Sequence, residues 1–459
     1  MQLATENKMA VRPVGPLIIG MAFPIMISMM VQALYNIVDS IFIARVSEDA
    51  LTAVSLAFPV QMLMISVGVG TAIGINSLLS RRLGAGDNKA ASQVALNGLF
   101  IAVIMGVLFC ILGLLFTTNF FRWFTTDADI VGMGRSYLLI CTVFSLGIFV
   151  QISCERIMQG TGDTIHPMIT QGTGAIINII LDPILIFGLF GFPKLGVAGA
   201  AIATVIGQWV AMIMAFGFLL SKTKELNLIF KRFRPNKIII FEIYEVGLPS
   251  IIMQSIGSVM TVGMNTILIS FTATAVAVFG VYFKLQSFIF MPVFGLVSAM
   301  ISIVGYNYGA KNRHRITGTI KAGTIIAFIV MSAGMLVFQL FPRLLLSLFD
   351  ASEEMMLIGS GALRRISLHF PIAAVAIMLS SSFQAMGKGT YSLLLSVVRQ
   401  LGVLLPVAFL LSILFGLNAI WYTFIISEIV SVTMSIGLYR RIYRRQIRVL
   451  DSDLLLSQE

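Results

Sequence analysis

Residues 176–190 read IINIILDPILIFGLF, an apolar stretch with Asp182 and Pro183 near its centre. The flanking residues are as apolar as a lipid bilayer, and an ionised carboxylate at the bilayer centre costs about 2.5 to 3.5 kcal/mol even on the lenient insertion scale. An ionisable residue in such a place is a functional hypothesis by default. The stretch therefore predicts a membrane-spanning helix that carries a functional aspartate.

The rest of the chain has the same apolar character. Its 459 residues are 58% hydrophobic and 11% charged, and the mean hydropathy of +0.96 lies far outside the range of water-soluble domains. The ten-residue alternation of a β-barrel is absent, so helices must satisfy the backbone in lipid. We predict an all-α integral membrane protein with twelve transmembrane helices, spans 1 to 12, of about 22 to 28 residues each. The predicted spans begin near residues 17, 52, 92, 133, 165, 196, 245, 278, 318, 360, 390 and 417.

The net charge of +11 lies mostly in the linkers between these spans. Basic residues follow spans 2, 6, 8 and 12, whereas the linkers on the opposite side carry acidic residues such as Asp129 and Glu353. The positive-inside rule therefore predicts a multi-pass protein of the cell (inner or plasma) membrane with both termini in the cytoplasm. Because topology accounts for the charge, no nucleic-acid partner is expected.

A constant offset of 225 residues aligns the chain with itself over some 140 residues without a gap. The matches include polar residues, glycine and proline, which chance alignment of apolar segments does not easily give. The equivalent pairs are Pro24 and Pro249, Phe58 and Phe283, Gln61 and Gln286, Gly70 and Gly295, Ser77 and Ser302, Gly84 and Gly309, Gln159 and Gln384, and Gly162 and Gly387.

The repeat predicts two six-helix bundles, with an N-terminal lobe at residues 1–220 and a C-terminal lobe at residues 245–440. A basic cytoplasmic linker at 221–244 joins the lobes, and a cytoplasmic tail covers 441–459. Because six is even, the repeats are parallel and share an axis along the membrane normal. This arrangement suits alternating access, with a substrate site expected between or within the halves.

Polar residues of spans 1 and 5 form a candidate ion site. Asn178 and Asp182 are four residues apart and share one helix face, and Pro183 removes the amide that would bond the carbonyl of Ile179. In span 1, Asp39 follows Gln32 and Asn36 at helical spacing, so these residues form a polar stripe. Two carboxylates from two helices of one bundle can hold either a proton or a sodium ion.

Other charged and proline residues lie within the apolar runs. Lys284 and Arg399 are expected to line the substrate cavity or to neutralise a partner such as Glu428. Glu155 and Arg156 fall near the cytoplasmic end of span 4, where solvation at the lipid headgroups would make them inexpensive.

Prolines at the starts of spans 1 and 7 suggest a conformational role. Pro24 and its repeat equivalent Pro249 permit bending without an unsatisfied interior amide. Bending of span 1 would move Asp39, so Pro24 and Pro183 are the candidate conformational residues.

Several classes of site lack their motifs. The three cysteines match no metal or redox spacing, and the three histidines stand apart from one another, so neither a metal nor an organic cofactor is expected. No G-x-S-x-G, H-E-x-x-H or complete P-loop occurs. We therefore expect no enzyme and no ATP-driven transport.

Five stretches follow one another along the chain: ALYNIVDSIFIA, SRRLGAGD, QGTGDTIHPMITQGTGAIINIILDPILIFG, GVAGAAIATVIGQ and GYNYGAKN. In this order they resemble the multidrug and toxic compound extrusion (MATE) transporters, in the bacterial branch with MepA-like and DinF-like pumps. The resemblance implies a twelve-helix antiporter that exports organic, mainly cationic, drugs and toxic compounds in exchange for protons or sodium ions. It also implies a cation site in the N-terminal lobe at Asp39, Asn178, Asp182 and Thr204.

The resemblance bears on the C-terminal lobe too. Another branch carries acidic residues in spans 7 and 10, where this chain has Met264, Asn265, Ser367 and His369. This difference predicts that the C-terminal lobe has no cation site. A flippase for a lipid-linked precursor, from the same wider superfamily, and a membrane-embedded enzyme are the alternative functions. We expect the protein to work as a monomer.

The predicted topology can be tested by cysteine labelling in intact cells. Single cysteines at Lys224, Arg313 or Arg441 should be shielded from a membrane-impermeant thiol reagent, whereas cysteines at Asp129 or Glu353 should react. The reverse labelling pattern would overturn the orientation.

Overall fold

The computed structural model describes residues 7–349 and 351–450. Within this part of the chain the regular structure is entirely helical. Ten helices are long and apolar enough to cross a membrane: Val14–Ala44 (span 1), Glu48–Gly84 (span 2), Asn88–Arg122 (span 3), Ile165–Phe187 (span 5), Val197–Lys222 (span 6), Lys237–Ile269 (span 7), Ala273–Gly309 (span 8), Arg313–Leu340 (span 9), Gly389–Phe415 (span 11) and Leu417–Ile447 (span 12).

Two further spans are bent helix pairs. Ala128–Val143 and Leu146–Gly160 form span 4 with a bend of 45°, and Glu353–Ser367 and Phe370–Ala385 form span 10 with a bend of 46°. With each bent pair counted as one span, the described residues contain the twelve predicted spans in the predicted order. The all-α membrane fold is therefore confirmed.

The two bends fall at equivalent places of the repeat. The first helix of each pair ends at Val143 or Ser367, and the second begins at Leu146 or Phe370. Both pairs of positions are 224 residues apart, close to the offset of the sequence repeat. The bend is thus a property of the repeated unit. Neither break contains a proline that would have predicted it from the sequence.

The described chain divides into two compact units. The N-terminal unit comprises Ile27–Leu79 and Asp87–Gly247, and the C-terminal unit comprises the described residues up to Met26, Ser80–Gly86 and those from Leu248 onward. Spans 1 and 7 each contribute to both units, and each changes unit within two residues of a proline, Pro24 or Pro249. The lobe boundaries at residues 220 and 245 stay a prediction.

In the N-terminal unit, spans 5 and 6 pack closely through glycine. A Cβ on Gly207 would lie 2.6 Å from the carbonyl oxygen of Gly174, and one on Gly174 would lie 3.0 Å from that of Gly207. Small residues let membrane helices approach until their backbones touch. This approach places Asn178 of span 5, one turn beyond Gly174, beside Thr204 of span 6.

In the C-terminal unit, the ends of spans 2 and 8 also approach each other closely at glycine residues. A Cβ at Gly84 would clash with the carbonyl of Tyr306, and a Cβ at Gly309 would clash with the carbonyl of Arg81. Gly84 and Gly309 are partners in the repeat, as are residues 81 and 306. The crossing is therefore symmetric, with each helix giving a glycine to the other's carbonyl.

The first described residues are anchored in the C-terminal unit. Met9 is fully buried in its hydrophobic core. The Met9 carbonyl accepts hydrogen bonds from Asn307 Nδ2 at 3.2 Å and from Arg315 Nη2 at 2.9 Å. The segment before span 1 is thus held by spans 8 and 9.

The glycine contact between spans 5 and 6 predicts a stability difference. Gly207→Ala should lower the free energy of unfolding by about 1 to 3 kcal/mol, because its Cβ would overpack against the Gly174 backbone. Gly217→Ala, on the same helix with nothing within 4 Å of the new Cβ, is the matched control and should be neutral or slightly stabilising. Thermal unfolding of the purified proteins in detergent compares them. Equal melting temperatures would contradict the close approach.

The two prolines predict a difference in transport. Pro24→Ala should impair transport more than Pro249→Ala, because span 1 carries Asp39 beyond its proline. Efflux from cells with matched expression is the measurement. Wild-type activity in both variants would remove bending at these prolines from the mechanism.

Candidate functional site

Asp182 and Asn178 lie on the buried face of span 5. The side chains are 0% and 3% exposed, respectively. With its amide nitrogen turned toward Asp182, Asn178 donates to Asp182 Oδ2 at 3.2 Å, and its oxygen accepts from Thr204 Oγ1 at 3.2 Å. This orientation satisfies the amide at both ends. The spacing of four residues thus aligns the amide and the carboxyl as the sequence predicts.

Asp39 reaches this cluster from span 1. Asp39 and Asp182 share a side-chain hydrogen bond. A hydrogen bond between two carboxyl groups requires a proton on one of them, because two carboxylates offer only acceptors. Asp39 Oδ1 is buried, and no donor group of the described chain hydrogen-bonds to it. The structure therefore brings together Asp39, Asn178, Asp182 and Thr204, while their binding of a cation stays a prediction.

Polar side chains that sequence reasoning missed surround Asp39. Tyr35, one turn earlier on span 1, and Tyr137 of span 4 both lie within electrostatic reach of its carboxyl group. Gln61 of span 2 donates from Nε2 to the Tyr137 hydroxyl at 3.1 Å. The four-residue spacing of Tyr35 and Asp39 is a signal that could have been used. Nothing local in the sequence indicates Tyr137 or Gln61, because packing of separate spans brings them near.

The predicted polar stripe of span 1 is partly exposed. Gln32 and Asn36 are exposed, whereas Asp39 is half-buried. Gln32 shares a hydrogen bond with Tyr35, which itself interacts with Asp39. The stripe thus runs from the exposed surface of span 1 to the buried carboxyl pair.

Pro183 lies inside the continuous helix of span 5. Its missing N–H leaves the carbonyl of Ile179 without the usual helical donor, as predicted. The helix nevertheless continues to Phe187 and ends at Gly188 in the left-handed conformation. The conformational role of Pro183 stays a prediction.

The two predicted cations of the C-terminal unit lie in different surroundings. Arg399 Nη1 pairs with Glu428 Oε1 at 2.5 Å, which is the partner considered from the sequence. Lys284 is exposed, with Nζ 5.9 Å from the centre of the Phe349 ring. Their roles in a substrate cavity stay predictions.

The expectation that Glu155 is solvated at the headgroups is wrong. The side chain is 2% exposed, and its oxygens accept from Gln151 Nε2 at 3.0 Å, Thr170 Oγ1 at 2.9 Å and Gln171 Nε2 at 2.6 Å. The donors belong to spans 4 and 5, so the carboxyl group ties these two spans together. Hydrogen bonds from these packed helices take the place of the water molecules that would solvate a carboxylate at the membrane surface.

Repeated six-span bundles with intramembrane carboxyl groups define the class of membrane transporters built from parallel repeats. The family model named MatE matches residues 24–184 and again residues 249–433. The chain belongs to this family. The two matches begin 225 residues apart, which confirms the internal repeat.

Curated relatives cover almost the whole chain. The probable multidrug resistance protein NorM of Thermotoga maritima is 28% identical over 91% of this chain and 90% of its own length. The multidrug export protein MepA of Staphylococcus haemolyticus is 25% identical over 89% of both chains. The resemblance noted in the sequence is thereby confirmed: the chain belongs to a family of transporters, not enzymes, whose curated members are named as multidrug resistance or export proteins.

Solved structures share the fold. One is described as the outward-facing conformation of a multidrug resistance MATE family transporter of the MOP superfamily, with a TM-score of 0.90, 27% identity and coverage of 98% of this chain and 100% of the other. A MOP superfamily transporter from Pyrococcus furiosus, described as having a binding pocket of reverse polarity, matches with a TM-score of 0.89 at 27% identity over 98% of this chain and 100% of its own.

Proposed function

We propose that the protein is a secondary active antiporter, which exports organic cationic drugs across the cell membrane in exchange for protons or sodium ions. The observation that carries the proposal is the hydrogen-bonded pair of Asp39 and Asp182 inside the N-terminal unit. Burying two carboxyl groups in the membrane costs free energy, and ionisable residues there usually mark an ion-binding or proton-transfer site. Two such groups in contact cannot both be ionised without strong repulsion, so the pair favours uptake of a cation.

The pair offers ligands for either coupling ion. Carboxyl oxygens of Asp39 and Asp182, the Asn178 amide oxygen and the Thr204 hydroxyl are hard oxygen donors, which suit an alkali cation. The hydrogen bond between the two carboxyl groups equally supports a proton as the coupling ion, because such a bond requires one proton. Efflux of a fluorescent dye from reconstituted vesicles, under a proton gradient or a sodium gradient imposed separately, distinguishes the two ions.

Span 1 is the element that links ion binding to drug export. Asp39 is in the buried pair, while Gln32 and Asn36 are exposed on the same helix. Ion binding changes the charge of the carboxyl pair. It therefore changes which packing of span 1 is favoured in the ion-bound and in the ion-free protein. Solved structures described as MATE in the bent and in the straight conformation support such a change in this chain.

The substrate class follows from charge and from the relatives. Ionised carboxyl groups in the N-terminal unit attract organic cations once the coupling ion has left. The relatives named for multidrug resistance or export support a broad range of such substrates. We further propose that the protein works as a monomer in the plasma membrane, with both termini in the cytoplasm and no resident cofactor.

Neutral variants of the pair test the coupling. Asp182→Asn keeps the size and hydrogen bonding of the side chain but cannot release a proton, so gradient-driven dye efflux should fall to the rate of protein-free vesicles. Asp39→Asn should behave in the same way. Both variants should insert and fold normally, because the amide escapes the burial cost of an ionised carboxylate.

Asp129→Asn is the matched control, since this aspartate is exposed and does not belong to the carboxyl pair. It should pump dye at the wild-type rate. Purified Asp182→Asn protein that still pumps at the wild-type rate, with the wild-type dependence on pH and sodium, would refute the coupling role.

A further inference from the structure

The C-terminal unit contains a buried carboxyl group that the proposed coupling pair does not use. Glu428 of span 12 is 3% exposed, and its Oε1 accepts from Arg399 Nη1 of span 11 at 2.5 Å. The second oxygen, Oε2, is buried and has no hydrogen-bond partner within residues 7–349 and 351–450. One oxygen of the carboxylate is therefore held by a cation, and the other is bare.

Spans 8 and 10 add two titratable groups around this carboxylate. The rings of Tyr282 and His369 lie 5.8 Å and 5.6 Å from the ring of Phe424, which precedes Glu428 by about one helical turn. Both groups lie within electrostatic reach of Glu428 and Arg399. Arg399, His369 and Tyr282 are thus charged or titratable groups close to Glu428.

The two uncharged neighbours leave the bare oxygen unsatisfied. The Tyr282 hydroxyl is fully buried and has no hydrogen-bond partner in the described part of the chain. His369 Nδ1 lies 2.6 Å from the Ile366 carbonyl, so this nitrogen carries the proton and donates it along its own helix. Neither group supplies a donor to Glu428 Oε2, which keeps that oxygen available for a proton.

The Arg399 end of the pair differs from the Glu428 end in two ways. Arg399 is 30% exposed, ten times the exposure of Glu428. It also lies in a π-helical segment, Val398–Leu404, just before Pro406. Single π-helical turns are frequent at functional sites. The cation is therefore the accessible member of the pair.

We propose that Glu428 is a second proton-binding site, and that its protonation leaves Arg399 as an uncompensated positive charge. One proton adds to a carboxylate oxygen while the guanidinium keeps its own, so the C-terminal unit gains one positive charge. An alkali cation fits this site poorly, because it would share one free carboxylate oxygen with a guanidinium already present. A proton needs no coordination shell.

The gained charge has a direct consequence for an exporter of organic cations, and here the inference rests on the proposed substrate class. A proton that enters at Glu428 weakens the binding of a cationic drug through repulsion by Arg399. Proton uptake then favours drug release without any contact between the two ions. This role is additional to the coupling at Asp39 and Asp182, and it departs from the expectation that the C-terminal half has no cation site.

Infrared spectroscopy of purified protein in lipid nanodiscs tests proton binding directly. Acidification should produce the carbonyl stretch of a buried protonated carboxyl group in the wild type and in the Asp39→Asn/Asp182→Asn variant. The band should be absent when Glu428→Gln is added to the Asp39→Asn/Asp182→Asn variant, because the carboxyl pair of the N-terminal unit then contributes no band. Glu155→Gln is the matched control, because that buried glutamate already accepts three hydrogen bonds. A band that persists unchanged when Glu428→Gln is added to the Asp39→Asn/Asp182→Asn background would overturn the proposal.

Equilibrium binding of tetraphenylphosphonium, without any gradient, tests the consequence for a cation. In the Asp39→Asn/Asp182→Asn background, acidification should weaken binding on the order of tenfold, because like charges repel strongly at the low effective dielectric constant of a protein. Adding Glu428→Gln should give the weak binding at every pH. Adding Glu428→Gln and Arg399→Gln together should restore strong binding and remove the pH dependence.

The two experiments separate this inference from the proposed function. Neither uses an ion gradient, so both give an answer even if Asp182→Asn pumps normally. The double variant carries no buried charge at this place, and its melting temperature shows whether the fold is kept. If Glu428→Gln bound tetraphenylphosphonium like the wild type at every pH, the pair of Arg399 and Glu428 would serve only helix packing, and the proposal would be overturned.

Discussion

Lipid offers no hydrogen-bond partner, so each polar group within the spans depends on another group of the chain. The buried carboxyl groups meet this constraint to different degrees. Both oxygens of Glu155 accept from neighbouring side chains. Asp39 and Glu428 each keep one buried oxygen without a partner in the described chain. Complete satisfaction favours a fixed structural tie, whereas a bare oxygen favours reversible uptake of an ion, which is why we assign function to the second kind.

Glycine determines how closely the spans that bear these groups approach. Without a Cβ at Gly174 and Gly207, the backbones of spans 5 and 6 touch, and Asn178 then reaches both Asp182 and Thr204. Hydrophobic burial gives little reason for helices to associate in lipid, since lipid chains are as apolar as leucine. Close van der Waals contact and polar contacts provide it instead. The same small residues therefore serve both the stability of the bundle and the geometry of the site.

Hydropathy predicted the number and order of the spans, because length and apolarity decide what crosses a bilayer. The starts of spans 5, 6, 11 and 12 fall within one residue of prediction, but span 7 begins at Lys237 rather than near residue 245. There the helix continues through charged residues, which hydropathy does not recognise. Helical spacing predicted the Asn178 and Asp182 pair; Thr204 came only from family resemblance, and Tyr137 and Gln61 depend on packing between distant spans. The burial of Glu155 was missed because its position within a span suggests its depth in the membrane but does not show which side chains of other spans pack against it.

The burial of Met9 affects how the protein is made. Its carbonyl is held by Asn307 and Arg315, and the described residues up to Met26 belong to the C-terminal unit. Synthesis proceeds from the N-terminus, and earlier segments leave the ribosome long before later ones. The start of span 1 therefore enters the membrane before spans 8 and 9, its packing partners, have been made. A nascent chain truncated before residue 307 lacks the two side chains that hold the Met9 carbonyl.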